Sequence, residues 1–124
     1  MEDKRKKGSL ADSFKYAFIG IFTCVRQERN MKIHCGAAAL VTLAGIFLKI
    51  SLREWMECLI LFGLVMSLEM VNTAIEAVVD LVTDEYQPLA KVAKDVAAGA
   101  VLIAAIIAAI IGCIIFLPKL AALF

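Results

Sequence analysis

The sequence lacks the residue patterns that mark metal sites, disulfide frameworks and nucleotide-binding loops. Its four cysteines are widely spaced and include no CxxC pair: Cys24, Cys35, Cys58 and Cys113. Neither a zinc site nor a disulfide framework is therefore predicted, and we expect the cysteines to be small buried hydrophobes. The chain also has no GxxxxGK[ST] loop and no kinase-type glycine-rich loop. These absences exclude the P-loop and protein-kinase ways of holding a nucleotide.

Charged residues are scarce as well, at 20% of the 124 residues, whereas 62% are hydrophobic and the mean hydropathy is +0.87. A soluble domain of this size cannot hide so much apolar surface, because small folds keep a large fraction of their residues exposed. Lipid is therefore the predicted solvent for much of the chain. We expect no signal peptide, because Asp12 and Lys15 interrupt any apolar core at the N-terminus.

Three apolar segments are predicted to cross the membrane, at 33–50, 55–82 and 96–117. The third contains no charged residue, and its length matches the roughly 20 helical residues that a bilayer core requires. The segments are too long for barrel strands and do not alternate, so helices are the expected structure. The fold class is thus all-α integral membrane, with residues 1–124 forming a single domain.

A basic tail at 1–8 and an amphipathic helix at 9–28 precede these segments. The apolar residues of the helix recur at spacings of three and four: Leu10, Phe14, Ala17, Phe18, Ile21, Phe22 and Val25. A basic, phenylalanine-rich helix of this kind usually lies in the membrane interface. Packing against its own bundle is the alternative, and the two are compatible. The charge distribution favours anionic lipid head groups as partners and argues against nucleic acid.

The basic residues also predict the orientation of the chain in the cell membrane. Placing the N-terminus and the 83–95 loop in the cytoplasm puts ten of the thirteen lysines and arginines on that side. Only Lys49, Arg53 and Lys119 then lie outside, in accord with the positive-inside rule. We therefore expect a multi-pass protein with a cytoplasmic N-terminus and an external C-terminus.

The third apolar segment carries small residues every four positions, at Ala100, Ala104, Ala108 and Gly112. Small residues at this spacing let helix backbones approach closely in lipid; the alternative is that the alanines are generic filler. Three thin helices cannot enclose a polar site by themselves, so we expect self-association.

The second apolar segment contains acids within SLEMVNTAIEAVVD. At about 100° per residue, Glu69, Glu76 and Asp80 fall within about 40° of one another on a helix, and Asn72 and Thr73 flank them. An ionisable group at membrane depth is costly unless it is paired or hydrated, so it is a functional hypothesis by default. We therefore interpret this face as a site.

A second polar cluster comes just before the third apolar segment, at the start of the same predicted helix. There Lys91, Lys94 and Asp95 follow Pro88. Hairpin geometry brings it close to the end of the second segment. The acids could pair with these lysines simply to hold the helices together. Alternatively, the carboxylates and lysines could bind a divalent cation and phosphate oxygens, because Mg²⁺ prefers such ligands. The chemistry alone leaves a phosphotransferase and a cation or proton pathway open.

Two longer motifs decide between these alternatives. EMVNTAIEAVVD at 69–80 and AKDVAAGAVL at 93–102 resemble the signature of the small prokaryotic membrane kinases, the diacylglycerol kinase and undecaprenol kinase family. The resemblance extends from about Phe14 to Leu117. It implies a homotrimer of three-helix subunits that phosphorylates the hydroxyl of a membrane lipid, with ATP and Mg²⁺ bound at the cytoplasmic face.

The resemblance also implies roles for individual residues. Glu69 would be the catalytic base, and Glu28 and Glu76 would hold the metal. Glu69, Asn72 and Ala98 would contact the lipid substrate. The residues expected to bind ATP are Tyr16, Glu28, Glu76, Glu85, Tyr86, Gln87, Lys94 and Asp95.

The sequence ERNMKIH at 28–34 and the NTAIE form of the motif look like the Gram-positive branch, whose members act on undecaprenol. Diacylglycerol kinases of the Gram-negative branch usually carry Arg near the position of Ser9 and Ser at that of Ala98. Undecaprenol is therefore the expected substrate, and diacylglycerol, which would give phosphatidic acid, is the alternative. His34 could contact substrate or head groups, or could be structural.

Two other functional classes remain for comparison. A small proton-coupled transporter also uses a membrane glutamate, but it would not need Glu85, Lys94 and Asp95 gathered at one end. A purely structural assembly subunit would have no use for the acidic face.

Overall fold

The computed structural model describes residues 8–124, which form four helices and contain no strand. The helices are α1 Leu10–Gln27, α2 Arg29–Leu48, α3 Leu52–Val82 and α4 Pro88–Ala121. By length and composition, α2, α3 and α4 can each cross a membrane, so the predicted all-α membrane class is confirmed. The basic tail predicted at 1–8 lies outside the described residues except for Gly8.

Helix α1 begins at a side-chain cap and ends at a bend. Ser9 Oγ accepts a hydrogen bond from the Asp12 backbone N–H at 3.2 Å, which satisfies one of the free donors of the first turn. Glu28 interrupts the helix with an extended backbone, at φ −95° and ψ 122°. Its own N–H still donates to the Cys24 carbonyl at 2.9 Å. The chain therefore turns directly from α1 into α2 with Glu28 at the junction.

The apolar face of α1 has little packing within the chain. Phe14, Phe18 and Phe22 are exposed, whereas Cys24, near the end of the helix, is buried. This arrangement fits a helix that presents its phenylalanines to a membrane interface and is anchored to the bundle at its C-terminal end.

A tight turn joins α2 to α3. Lys49 adopts the left-handed conformation, at φ 54°, and Ser51 and Glu54 form a reciprocal capping box at the start of α3. Gly45 lies against the Trp55 ring, where an added Cβ would come within 2.7 Å of a ring carbon. The two helices thus approach closely next to the turn, and their register is fixed there.

Helices α3 and α4 form a long antiparallel pair with an ion pair at each end. Lys94 Nζ lies 2.7 Å from Asp80 Oδ1 at one end, and Lys119 Nζ lies 3.3 Å from Glu54 Oε1 at the other. Between these ends the buried residues are mainly small or aliphatic: Cys58, Leu61, Val65, Ala97, Val101 and Ala104.

The small-residue stripe of α4 takes part in packing within the chain. Ala104 is only 2% exposed, and Ala108 and Gly112 line a cavity between the helices. The cysteine prediction is confirmed for Cys24 and Cys58, which are buried. It is wrong for Cys113, because that thiol is exposed on the surface of the described chain.

Candidate active site

The candidate site follows the length of α3. Five of its residues line an apolar cavity: Cys58, Leu61, Phe62, Val65 and Met66. At its end, Val79, Asp80 and Thr83 line a polar cleft. Between the cavity and the cleft, the same helix carries Glu69, Asn72 and Glu76. The helix therefore connects an apolar compartment to a charged one through a short series of acids and an amide.

The apolar cavity lies between α2, α3 and α4 and has a volume of about 540 Å³. Its lining runs from His34, near the start of α2, to Leu120, near the end of α4. Apart from His34, the lining consists of apolar side chains, cysteines and one glycine. Such a cavity suits a hydrocarbon chain, because it offers dispersion contacts and almost no hydrogen-bonding groups.

Glu69 is the buried acid of the site, with a side chain that is 2% exposed. It is buried because it continues the core face of α3, following Leu61 and Val65 at four-residue intervals. His34 on α2 faces it, with His34 Nε2 lying 3.9 Å from Glu69 Oε2. This separation exceeds hydrogen-bond length, so the two groups are in electrostatic contact without a direct bond.

Asn72 links this acid region to Glu76. Its Nδ2 donates to Glu76 Oε1 at 2.7 Å, whereas its buried Oδ1 has no hydrogen-bond partner among the described residues. A buried acceptor without a partner costs free energy, and here it belongs to a residue that lies between Glu69 and Glu76 along α3. Asn72 can therefore orient Glu76 and still accept a hydrogen bond from a bound molecule.

Thr73 connects the acidic face to α1. Its hydroxyl donates to the Glu69 carbonyl at 2.9 Å and lies 3.7 Å from the Cys24 sulfur. The buried end of α1 is thereby held against α3 beside the site.

The polar cleft has a volume of about 330 Å³ and lies where α3 passes into α4. Its lining includes five of the residues predicted to bind ATP: Glu85, Tyr86, Gln87, Lys94 and Asp95. Thr83 shapes the loop, because its hydroxyl accepts a hydrogen bond from the Glu85 N–H at 3.1 Å. Two lysines face the acids of the cleft, and Lys94 pairs with Asp80 while Lys91 pairs with Asp95.

Other predicted residues lie apart from the cleft and the apolar cavity. Tyr16 lies on α1, and Glu28 is half-buried at the α1–α2 junction. Ala98 is exposed on α4. None of these three lines either space. Glu69, Asn72 and Glu76 also line neither space; they lie on α3 between the two, and Glu69 faces the cavity-lining His34.

Four polar residues that line these spaces were given no definite ligand role from the sequence: His34, Asp80, Thr83 and Asp84. Asp80 pairs with Lys94 across the hairpin, as in the structural alternative for the acids. Asp84 and Thr83 line the cleft, and their position at the end of an apolar segment was the available signal. His34 could not be assigned from sequence, because its neighbour Glu69 lies on a different helix.

Comparisons with known proteins all point to the same family. The profile described as Prokaryotic diacylglycerol kinase matches residues 15–116. An undecaprenol kinase of Bacillus subtilis is 52% identical over 108 residues, covering 87% of this chain and 88% of the relative. A diacylglycerol kinase of Synechocystis is 43% identical over 93% of this chain and 66% of the relative. A diacylglycerol kinase of Escherichia coli is 54% identical over 52 residues, or 42% of this chain and 43% of the relative.

Proposed function

The chain belongs to the prokaryotic diacylglycerol kinase family, and from this premise we propose that it transfers the γ-phosphoryl group of ATP to the hydroxyl of undecaprenol, forming undecaprenyl phosphate. The observation that carries the proposal is the order of features along α3. An apolar cavity, a buried acid and a charged cleft follow one another on a single helix. That order suits a reaction between a lipid hydroxyl and a water-soluble phosphate donor.

Glu69 is the proposed general base. The lipid oxygen forms a bond to the γ-phosphorus while the bond from that phosphorus to the β–γ bridging oxygen breaks, and ADP leaves with the electron pair. Glu69 takes the hydroxyl proton. Because phosphoryl transfer depends mainly on alignment and charge stabilisation, a buried carboxylate next to the lipid cavity is sufficient for the protein's share in proton transfer.

The nucleotide is assigned to the polar cleft and its surroundings. Lys94 supplies positive charge for phosphate oxygens, and Glu85, Tyr86, Gln87 and Asp95 form the walls around it. We further propose that Tyr16, Glu28 and Glu76 complete the ATP site from α1, the α1–α2 junction and α3.

Magnesium is the proposed cofactor, held by Glu28 and Glu76. The donor chemistry fits, because both residues offer the hard carboxylate oxygens that Mg²⁺ prefers, and Asn72 already orients Glu76 through its 2.7 Å hydrogen bond. Residues 8–124 contain no cluster of three or more His, Cys, Asp or Glu side chains able to hold a metal. A Mg²⁺ ion that is held mainly by phosphates needs only one or two carboxylates. When bound, it would neutralise charge on the phosphate oxygens.

The assembly and orientation belong to the same proposal. Residues 1–124 form one membrane lipid kinase domain, with the N-terminus and the polar cleft in the cytoplasm and the C-terminus outside. Large apolar side chains are exposed along α2, α3 and α4, and both lipid and further copies of the chain would cover them in a homotrimer. Anionic head groups would meet the basic residues near the N-terminus.

Undecaprenol is expected to outcompete diacylglycerol when both lipids are offered at equal mole fraction in mixed micelles with ATP. Diacylglycerol brings two ester carbonyls next to its hydroxyl, whereas among residues 8–124 the one strongly polar side chain lining the apolar cavity is His34. Each buried polar atom without a partner costs about 1–3 kcal/mol, roughly a 5- to 150-fold handicap. The measurement is the ratio of the two phosphorylated products.

Ser9→Arg and Ala98→Ser serve as the specificity variants in that assay, since both introduce residues typical of the diacylglycerol branch. We expect them to shift the product ratio towards phosphatidic acid. A larger yield of phosphatidic acid from the unmodified protein would overturn the undecaprenol assignment and leave the kinase activity in place.

Replacing Glu28 or Glu76 with Gln is expected to raise the Mg²⁺ concentration needed for half-maximal activity. The shift should be on the order of tenfold or more, because even residues that only orient metal ligands are worth about 10–100-fold in affinity. A magnesium titration of each variant measures it. Glu57→Gln is the matched control, since Glu57 pairs with Arg53 near the opposite end of α3. An unchanged midpoint in both site variants would assign the two acids to another role.

A further inference from the structure

His34 lies where the apolar cavity meets the buried acid. It lines the cavity, and its Nε2 lies 3.9 Å from Glu69 Oε2. The Glu69 side chain is 2% exposed and that of His34 is 20% exposed. A carboxylate this buried needs polar or charged neighbours, and α2 supplies His34 for that purpose.

The position of His34 is fixed by the packing of α2. Met31, one turn earlier on the same face, is 2% exposed. Ala38 and Val41 continue that face and line the apolar cavity, so Met31, His34, Ala38 and Val41 follow a three–four–three spacing on one side of the helix. The imidazole is therefore carried into the site by a face of α2 that is buried on one side of it, at Met31, and borders the apolar cavity on the other.

The gap between His34 and Glu69 leaves room for adjustment. At 3.9 Å it is too long for a hydrogen bond, and catalytic hydrogen bonds often tighten only when substrate is bound. An imidazole with its proton on Nε2, or an imidazolium, presents an N–H donor towards Oε2. A small closure would fix that oxygen and leave the other carboxylate oxygen available to the lipid.

We propose that His34 is a positioning residue for Glu69. It holds one carboxylate oxygen so that the other faces the lipid hydroxyl arriving from the apolar cavity. His34 neither contacts the phosphate nor takes the proton, which passes to Glu69. The inference rests on the proposed function, since it needs Glu69 to act as the base.

Two substitutions of similar size separate positioning from packing. His34→Leu keeps the volume and removes the N–H donor, whereas His34→Gln keeps a donor near the place of Nε2. We expect His34→Leu to lower kcat by up to about 100-fold, since a misplacement of about 1 Å can cost that much, with little change in the KM for lipid or ATP. His34→Gln should retain most of the turnover. Unchanged turnover in His34→Leu, or equal losses in both variants, would overturn the proposal.

A double-mutant comparison completes the test. If His34 acts through Glu69, adding His34→Leu to Glu69→Gln should cause no further loss of the residual turnover, whereas independent roles would give multiplicative losses. Full turnover in Glu69→Gln alone would instead refute the base role itself, which distinguishes the two failures. Should His34→Leu fail to assemble, His34→Ala with free imidazole replaces it. Restored turnover supports positioning, and no restoration contradicts it.

Discussion

Glu69→Gln is expected to lose most of the turnover, about 10²–10⁴-fold, while ATP binding stays close to that of the unmodified protein. The fold-change is the range that a single general base supplies. Glutamine has nearly the same shape as glutamate but cannot take the hydroxyl proton. The polar cleft assigned to ATP is lined by other residues, beginning at Val79 on α3. Single-turnover phosphorylation and a separate ATP-binding measurement give the two quantities.

The matched control is Glu57→Gln, the same substitution on the same helix. Glu57 pairs with Arg53 at an i,i+4 spacing near the start of α3, and it lines neither the cavity nor the cleft. It should leave turnover unchanged. Turnover in Glu69→Gln close to that of the Glu57 control would exclude Glu69 as the base, and an equal loss of ATP binding would assign Glu69 to the nucleotide.

The fold class was predictable because its cause is local. Apolar segments too long for strands and too hydrophobic for water leave only helices. The start of α4 was harder to predict from the sequence. Hydropathy marks only the uncharged segment, whereas the helix begins at Pro88, before the charged residues. Proline suits a first helical position, and the Lys91–Asp95 pair at i,i+4 supports the turns that follow.

The sequence predicted which side of α3 carries the acids, but it did not predict how deeply each acid is buried. Glu69 and Asp80 share a side of α3, yet the Glu69 side chain is 2% exposed and that of Asp80 is 64% exposed. Periodicity gives the angle at which a side chain leaves a helix. It does not give the number of neighbouring helices at that level, which decides burial. Function differs accordingly, since a buried acid suits proton transfer and an exposed one suits an ion pair.

Contacts between helices were the part of the site that was hardest to predict from the sequence. The His34–Glu69 approach depends on the register of α2 against α3, which the turn at Lys49 and the close packing of Gly45 on Trp55 fix. The resemblance to lipid kinases supplied the cleft residues as a group. It also supplied Ala98, which is exposed and lines neither the cavity nor the cleft. Its substrate role stays a prediction, as do the roles of the other site residues.

Lys94, at the other end of the site, could serve either a structural ion pair or the binding of nucleotide phosphates. Its 2.7 Å pair with Asp80 joins α3 to α4, and the side chains are 42% and 64% exposed. Exposed ion pairs contribute little to stability, because solvent screens the attraction and ordering two side chains costs entropy. A purely structural lysine would therefore be nearly dispensable, whereas a lysine that faces nucleotide phosphates would not.

Lys94→Met is accordingly expected to lower kcat/KM for ATP about 10²–10³-fold, the usual cost of removing one electrostatic contact to a transition state. Asp80→Asn breaks the same ion pair but keeps the cation, so it should retain most of the activity. Lys119→Met is the matched control, since Lys119 pairs with Glu54 at the opposite end of α4. Steady-state kinetics with varied ATP measure all three variants. Equal activity in Lys94→Met and Asp80→Asn would mean that the pair only ties the hairpin together, and the phosphate contact would then have to come from another residue.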